Sequence, residues 1–291
     1  MLSIEDGAKR IGEAIRSNAP FFIGRHGTIE LEVFRLWMAG RTDSYPLPLA
    51  DVIERNAGVF PKTDLSLDTW CEAYASAIGE LTGAAVGWYK PLERVEAECM
   101  KRYASGSEFH CPLRSLEPYY VPPDLCWTRE LTGKRVTVVS SFADSIRKQI
   151  QGESFPGIWT GDHAGMLSGP TWSFVKTGYS PALALGLAGW PSGVKTWQDA
   201  VEYVLQEAMK TGPDMVIIGC GGLGMLIGAE LKRRGVSSII LGGATQVLFG
   251  IKGKRWATHP VISGFWNSAW VWPTETETPK GAKAIEGGCY W

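Results

Sequence analysis

Hydrophobic residues follow two different periods along the chain, and together these periods predict an α/β protein. Apolar residues recur every three or four positions in 3–17, 66–81 and 197–209, which is the spacing of an amphipathic helix. Between such segments lie short apolar runs bounded by glycine or proline, as at 215–218, which predict buried strands of a parallel sheet. The alternation predicts a Rossmann-like fold, with a mostly parallel sheet and helices on both faces.

Three segments share the order strand, short glycine or serine turn, and helix. Their ranges are 21–39, 134–151 and 214–234. The carboxyl ends of parallel strands lie at one edge of a sheet, where open α/β sheets bind ligands. We therefore expect Arg25, Ser141 and Gly221, one from each turn, to lie around one cleft.

The third of these turns, GCGGLG at 219–224, satisfies the dinucleotide fingerprint G-x-G-x-x-G. Backbone amides at such a turn can bind an anion at the start of the helix. A dinucleotide site also needs an acidic residue at the end of the next strand, and none occurs between Glu230 and Glu275. An NAD(P)-dependent oxidoreductase is therefore an alternative, and tight helix–sheet packing is a second explanation of the glycines.

Polar side chains occupy the other two turns. In the first, Arg25, His26 and Glu30 are candidates for site chemistry, and a structural ion pair between Arg25 and Glu30 is the alternative. In the second, Ser141 and Ser145 could bind a phosphate or sugar at the helix N-terminus, or could cap the helix.

Basic residues lie on both sides of the last predicted strand, 236–241. Six lysine or arginine residues and no carboxylate occur between 231 and 274. Lys254 and Arg255 lie beyond the carboxyl end of that strand, where they could bind a diphosphate. A solvated basic turn is the alternative.

Composition narrows the function classes. Twenty-nine basic residues against thirty acidic ones give no reason to expect nucleic acid as a partner. Six cysteines without C-x-x-C spacing predict neither a zinc site nor a disulfide framework, so we expect a cytoplasmic protein. The absence of a long apolar run allows at most peripheral membrane association. We expect one domain over 1–291, with an irregular insertion around 152–194 that is rich in glycine, proline and tryptophan.

The ordered motifs resemble the GT-D-fold glycosyltransferases. They are R-x-G-x-x-E at 25–30, VVSSFADSIRKQ at 138–149, D-x-x-x-x-G-x-G at 214–221, GGATQVLFGIKGKRW at 242–256 and the ending EGGCYW. The resemblance implies transfer of a sugar from a nucleotide-sugar donor to a hydroxyl of a glycan or lipid-linked acceptor. A non-catalytic nucleotide- or glycan-binding protein is a further alternative.

The resemblance also implies roles for individual residues. Glu30 would be catalytic, positioning or deprotonating the acceptor hydroxyl or holding Mn²⁺ or Mg²⁺. His26, at the tip of the same turn, is the second predicted catalytic residue because of its position and not because of the resemblance. Thr28 stands where the family motif R-x-G-D-x-E has an aspartate, and one carboxylate is a poorer divalent-metal site than two. The predicted donor-binding residues are Arg25, Gly27, Ser141, Ser145, Gly219, Gly221, Gly222, Gln246, Lys254 and Arg255.

Overall fold

One sheet of seven parallel strands organises the molecule, and the computed structural model describes all residues from 1 to 291. The strands are β1 (Phe22–Arg25), β2 (Gly83–Ala85), β3 (Phe109–Cys111), β4 (Arg135–Ser140), β5 (Thr171–Lys176), β6 (Met215–Gly219) and β7 (Ser237–Ile240). Their order across the sheet is β3-β2-β1-β7-β6-β4-β5, and each neighbouring pair is parallel. The predicted α/β, Rossmann-like fold is confirmed.

Helices cover both faces of this sheet. They are α1 (Ile4–Arg16), α2 (Thr28–Met38), α3 (Leu47–Ala57), α4 (Asp64–Gly79), α5 (Glu93–Tyr103), α6 (Ala143–Gln151), α7 (Trp197–Lys210), α8 (Gly224–Arg233), α9 (Ala244–Leu248) and α10 (Lys254–Ala257). Successive strand residues point to opposite faces, so Ile239 of β7 packs in one core and Ile240 in the other. One core contains side chains of α1, α6 and α9, and the other contains those of α2 to α5, α7 and α8.

The crossover connections between parallel strands all have the same handedness. Connections that step toward the β3 edge, such as β6 to β7 through α8, run over the face that α2 to α5 also cover. The connection from β4 to β5, which steps the opposite way, runs through α6 on the other face. Both directions follow from the same handedness rule for parallel strands. The connections after β1 and β4 therefore diverge, and they leave a crevice between them.

The segment 152–194, which was predicted to be irregular, contains the edge strand β5. Its six residues pair with β4 from Arg135↔Thr171 to Ser140↔Lys176. Only Val175 of this strand is fully buried. A strand at the edge of a sheet has a neighbouring strand on one side only and is partly exposed, so it needs no continuous apolar run. The hydrophobic pattern therefore did not reveal β5.

Candidate functional site

A cleft of about 420 Å³ lies at the carboxyl ends of β1, β7, β6, β4 and β5. It is lined by Arg25, the last residue of β1, and by Gly242, Gly221, Ser141 and Gly178 from the turns after the other four strands. The cleft lies where the connections after β1 and β4 diverge, the usual ligand position in an open α/β sheet. The three turns singled out in the sequence thus meet at one cleft, as expected.

Arg25, the last residue of β1, has no ionic partner. Its guanidinium group makes no hydrogen bond or ion pair within the protein and lies 4.9 Å from the centre of the Trp88 ring. It also lies against Gly242, where a Cβ atom would come within 3.3 Å of the guanidinium carbon. The alternative of a structural ion pair with Glu30 is therefore wrong, and Arg25 leaves a half-buried positive charge in the cleft.

Glu30 lies in the first turn of α2 and folds back over the preceding turn. A Cβ atom at Gly27 would lie 1.9 Å from Glu30 Oε2, so a residue with a side chain at 27 would displace this carboxylate. Burial raises the pKa of Glu30, and its own backbone amide and the charge of Arg25 oppose that rise. Glycine in R-x-G-x-x-E therefore seats a buried carboxylate at the wall of the cleft.

His26, predicted to be catalytic, points into the core and does not line the cleft. Its Nε2 lies 3.3 Å from Met100 Sδ and its Nδ1 lies 2.8 Å from the Tyr74 hydroxyl. A thioether can only accept, so Nε2 carries the proton and the Tyr74 hydroxyl donates to Nδ1. Burial, together with the charge of Arg25, lowers the pKa of His26 to about 4. The imidazole is neutral and both its nitrogens are occupied, so the catalytic assignment is corrected.

The glycines after β6 line the cleft, but their immediate contacts are with the protein itself. Gly221 has φ +49°, and a Cβ there would lie 2.6 Å from Ala57 O at the end of α3. A Cβ at Gly222 would lie 2.8 Å from Val59 Cγ2. Close packing against α3 therefore explains these two glycines, as the alternative proposed. Gly219, the last residue of β6, also packs against the protein, because a Cβ there would lie 2.7 Å from Thr245 Oγ1 and 2.8 Å from Gly242 O, and both of those residues line the cleft.

The two predicted serines are placed differently. Ser141 lines the cleft, whereas Ser145 does not. The Ser145 hydroxyl donates to the carboxylate of Glu277, and the backbone amides of Asp144 and Ser145 donate to Glu277 Oε1 at 2.9 and 3.0 Å. The carboxylate of Glu277 thus occupies the anion site at the start of α6. The prediction that Ser145 binds a ligand is therefore wrong, and its role is structural.

The two basic residues predicted to bind the donor diphosphate, Lys254 and Arg255, are also placed differently. Arg255 lines the cleft, but it pairs with Glu286 and its Nη1 donates to the Tyr290 hydroxyl at 3.0 Å. Lys254 is exposed outside the cleft, which corrects its assignment as a donor-binding residue. Asp214 of the C-terminal motif lies just before β6, at the opposite end of the strand, where it pairs with Arg135 at 2.7 Å.

Several lining residues escaped prediction. Arg55, in the last turn of α3, forms no ion pair and only donates to the adjacent Asn56 side chain at 3.1 Å. Its position before a left-handed glycine, Gly58, is the usual one for a basic helix-terminal residue, so the sequence carried no signal of a site. The aromatic lining was not predicted either. It consists of Tyr74, Trp88, Tyr89, Phe142, Tyr179, Trp190, Tyr290 and Trp291.

The side chains present do not fit a Mn²⁺ or Mg²⁺ site. No group of three or more His, Cys, Asp or Glu side chains in the molecule is arranged to hold a metal ion. Glu30 and Glu286 are the carboxylates of the cleft, and Glu286 is paired with Arg255. Divalent hard cations need several oxygen ligands, and Thr28 supplies a hydroxyl where a carboxylate would be needed.

The dinucleotide alternative requires an acidic residue at the end of β7 to bind the ribose, and the structure shows none there. β7 ends at Ile240 and continues into Leu241 and Gly242, without a carboxylate. A dinucleotide-binding unit places an acidic side chain at this point.

Comparisons with known proteins add little to this description. No family model matches the chain, and no curated protein is significantly similar to it. A solved structure described as a selenomethionine-substituted domain of unknown function 1792 is 10% identical, with a TM-score of 0.46, and the alignment covers 95% of this chain and 91% of that one. The fold assignment therefore rests on the sheet topology, which defines a parallel α/β protein with a cleft at the switch between its two connection directions. No helix is both long and apolar enough to cross a membrane.

Proposed function

We propose that this protein is a glycosyltransferase that takes a sugar from a nucleotide-sugar donor. The observation that carries the proposal is the unpaired guanidinium of Arg25 beside the buried carboxylate of Glu30, in an aromatic-lined cleft. The R-x-G-x-x-E turn that supplies both residues is also one of the ordered motifs on which the resemblance to GT-D-fold glycosyltransferases rests. The cleft volume of about 420 Å³ falls within the roughly 300–1,000 Å³ of small-molecule sites.

The cations of the cleft suit a diphosphate. Arg25 and Arg55 both lack an ionic partner and both line the cleft. Guanidinium groups bind phosphate oxygens in bidentate fashion, and they bind most strongly where water is scarce. In glycosyl transfer the negative charge grows on the departing nucleoside diphosphate, so the same arginines would stabilise the leaving group without a metal ion.

The aromatic lining suits the rest of the donor. Trp88 and Tyr89 lie at the Arg25 side of the cleft, and Tyr290 and Trp291 come from the C-terminal end of the chain. Flat aromatic faces pack on bases and on the apolar faces of sugar rings. A nucleotide and a sugar are therefore both compatible with the walls.

Glu30 is the proposed base. The acceptor hydroxyl would form a bond to the anomeric carbon while the bond from that carbon to the diphosphate breaks. The hydroxyl proton would pass to the Glu30 carboxylate, and the electron pair of the broken bond would leave with the nucleoside diphosphate. A base works best when its pKa lies near the working pH, and burial moves the pKa of Glu30 upward, in that direction.

The first test is a thermal-shift screen with UDP-, GDP- and CDP-sugars. A bound donor at about 100 times its dissociation constant stabilises the protein by about 2.7 kcal/mol. Arg25→Ala should weaken donor binding by about 10- to 100-fold, the loss expected for hydrogen bonds to a charged group. Lys254→Ala removes the same charge outside the cleft and should leave binding unchanged. Equal affinity of both variants would reject the proposed diphosphate site.

The second half of the test measures release of the nucleotide from the donor that the screen identifies. Glu30→Gln should lower turnover by roughly 10²-fold or more, the range for a lost base, with little change in donor affinity. Glu96→Gln is the matched control, since Glu96 is also buried with a raised pKa but lies outside the cleft. A wild-type protein that binds a donor and never turns it over, with any acceptor offered, would favour the non-catalytic binding protein.

A further inference from the structure

Two buried polar atoms, from adjacent residues that line the cleft, have no hydrogen-bond partner. They are Thr245 Oγ1 and Gln246 Oε1, in the first turn of α9. Both residues line the cleft and both are 1% exposed. Buried polar atoms are nearly always paired in folded proteins, and an unpaired one lowers stability. Two such atoms in adjacent residues next to a cleft point to a ligand that supplies the missing partners.

The amide of Gln246 can present only its oxygen. Its Nε2 donates to Lys252 O at 2.8 Å and to Tyr290 O at 2.7 Å, so both amide hydrogens are used. The reverse orientation would place Oε1 against two carbonyl oxygens, which can only accept. Gln246 therefore offers an acceptor, and the missing partner must be a hydrogen-bond donor.

Glycine at position 219 leaves room next to the hydroxyl of Thr245. A Cβ atom at Gly219 would lie 2.7 Å from Thr245 Oγ1, and Gly219 also lines the cleft. A threonine hydroxyl can both donate and accept. The two residues therefore suit a ligand with one group that donates to Gln246 and another that donates to or accepts from Thr245, as the hydroxyls of a sugar ring do.

This pair lies close to the unpaired arginine. The backbone amide of Thr245 donates to Gly242 O at 3.1 Å, and Gly242 is the glycine against which the Arg25 guanidinium packs. A sugar ring on either side of a diphosphate at Arg25 could reach Thr245 and Gln246. The base of a nucleotide is separated from the diphosphate by the ribose and would lie farther away.

We propose that Thr245 and Gln246 form a subsite for the hydroxyl groups of a sugar ring attached to the diphosphate. The inference rests on the proposed function, because that function supplies the diphosphate at Arg25. Two rings in a nucleotide-sugar have this chemistry, namely the ribose and the transferred sugar. Gly219, Thr245 and Gln246 would together determine which ring hydroxyls the cleft accepts.

The test uses Thr245→Val, which keeps the branched shape and removes the hydroxyl. Binding of pyrophosphate, UDP and UDP-glucose is measured by calorimetry, with GDP and GDP-mannose as a second set. We expect the variant to bind the sugar nucleotide about tenfold more weakly, equivalent to about 1.4 kcal/mol, and to bind pyrophosphate as the wild type does. Its Tm should be unchanged or higher, because a buried unpaired hydroxyl is lost.

Two further variants separate binding from folding. Thr245→Ser keeps the hydroxyl and should retain wild-type affinity. Thr128→Val removes another buried hydroxyl that has no partner, outside the cleft, and should match the Tm change of Thr245→Val without a change in binding. A lower Tm for Thr245→Val would instead show that its hydroxyl supports the fold.

The outcomes distinguish the two sources and the two proposals. Equal weakening of UDP and UDP-glucose assigns the subsite to the ribose, and weakening of UDP-glucose alone assigns it to the transferred sugar. Weaker pyrophosphate binding would mean that Thr245 contacts phosphate, and unchanged binding of every probe would reject the subsite while the proposed function stands. If the wild type binds neither set and no UDP-, GDP- or CDP-sugar of the thermal-shift screen, the proposed function and the subsite are both rejected.

Discussion

The turn after β1 and the turn after β6 can be compared directly, because both join a parallel strand to a helix at the edge of one cleft. In the first, Gly27 makes room for the carboxylate of Glu30, a side chain that reaches the cleft. In the second, Gly221 and Gly222 make room for the end of α3, which is protein. Similar glycine spacing therefore serves a candidate site in one turn and packing in the other.

The difference shows what a glycine motif can and cannot indicate. The backbone of Gly27 has φ −87°, which any residue can adopt, so only the neighbouring carboxylate requires glycine there. Gly221 has φ +49°, so the backbone and the contact with Ala57 both require it. A glycine with ordinary backbone angles beside a buried carboxylate is thus the stronger indication of function.

The largest effect is expected from Gly27→Ala. The added methyl group would displace Glu30, so turnover should fall by roughly 10²-fold or more, as for a lost base, with little loss of stability. In a Glu30→Ala background, where no carboxylate is displaced, the same change should cost almost nothing further. Turnover assays on the four proteins of this cycle check the prediction, and an equal loss in both backgrounds would contradict it.

A smaller effect, on stability rather than turnover, is expected from Gly221→Ala. The strained backbone angle and the clash with Ala57 O should lower the free energy of unfolding by about 1–3 kcal/mol. Gly235→Ala is the control, because φ is +81° there and nothing lies within 4 Å of the added atom. Urea unfolding of both variants separates the clash from the backbone strain. A Gly221→Ala protein that is as stable as the wild type but no longer binds the donor would contradict the conclusion that Gly221 serves packing.

The smallest effect concerns pH. Burial raises the pKa of Glu30 above its value in the unfolded chain, so its contribution to stability is present at low pH and is lost as pH rises through the folded pKa. Glu30→Gln should therefore gain Tm relative to the wild type as pH increases. The second turn offers no such group, since burial raises the pKa of its Cys220 to about 12. A Tm difference that stays constant with pH would contradict the prediction.

Much of the local structure followed from the sequence. The predicted helix at 66–81 is α4, Asp64–Gly79, and the strand predicted at the start of the segment 134–151 is β4, Arg135–Ser140. Long amphipathic segments and buried strands are recognisable because their periods depend only on near neighbours. The edge strand β5 lacked that signal, because most of its residues are only partly buried and need not be apolar.

The candidate site was only partly predictable. Sequence spacing indicated which turns would meet, because parallel strands present their carboxyl ends on one side. It could not indicate that Glu277 would occupy the start of α6, because that contact joins residues 132 positions apart. The same limit applied to Arg55 and to the C-terminal aromatics, which reach the cleft only after distant helices and the final segment pack together.

The sequence by itself thus determined the α/β class, most helices and strands, and the set of turns at the cleft, since hydrophobic period and glycine placement act over a few residues. Only the tertiary structure decided the order of the strands and which charged side chains have no ionic partner. Arg25 is unpaired and Arg255 is paired with Glu286, although both are arginines beside glycine-rich turns. Charge pairing depends on which residues the fold brings within a few ångströms, and that proximity is not encoded in any local stretch of the chain.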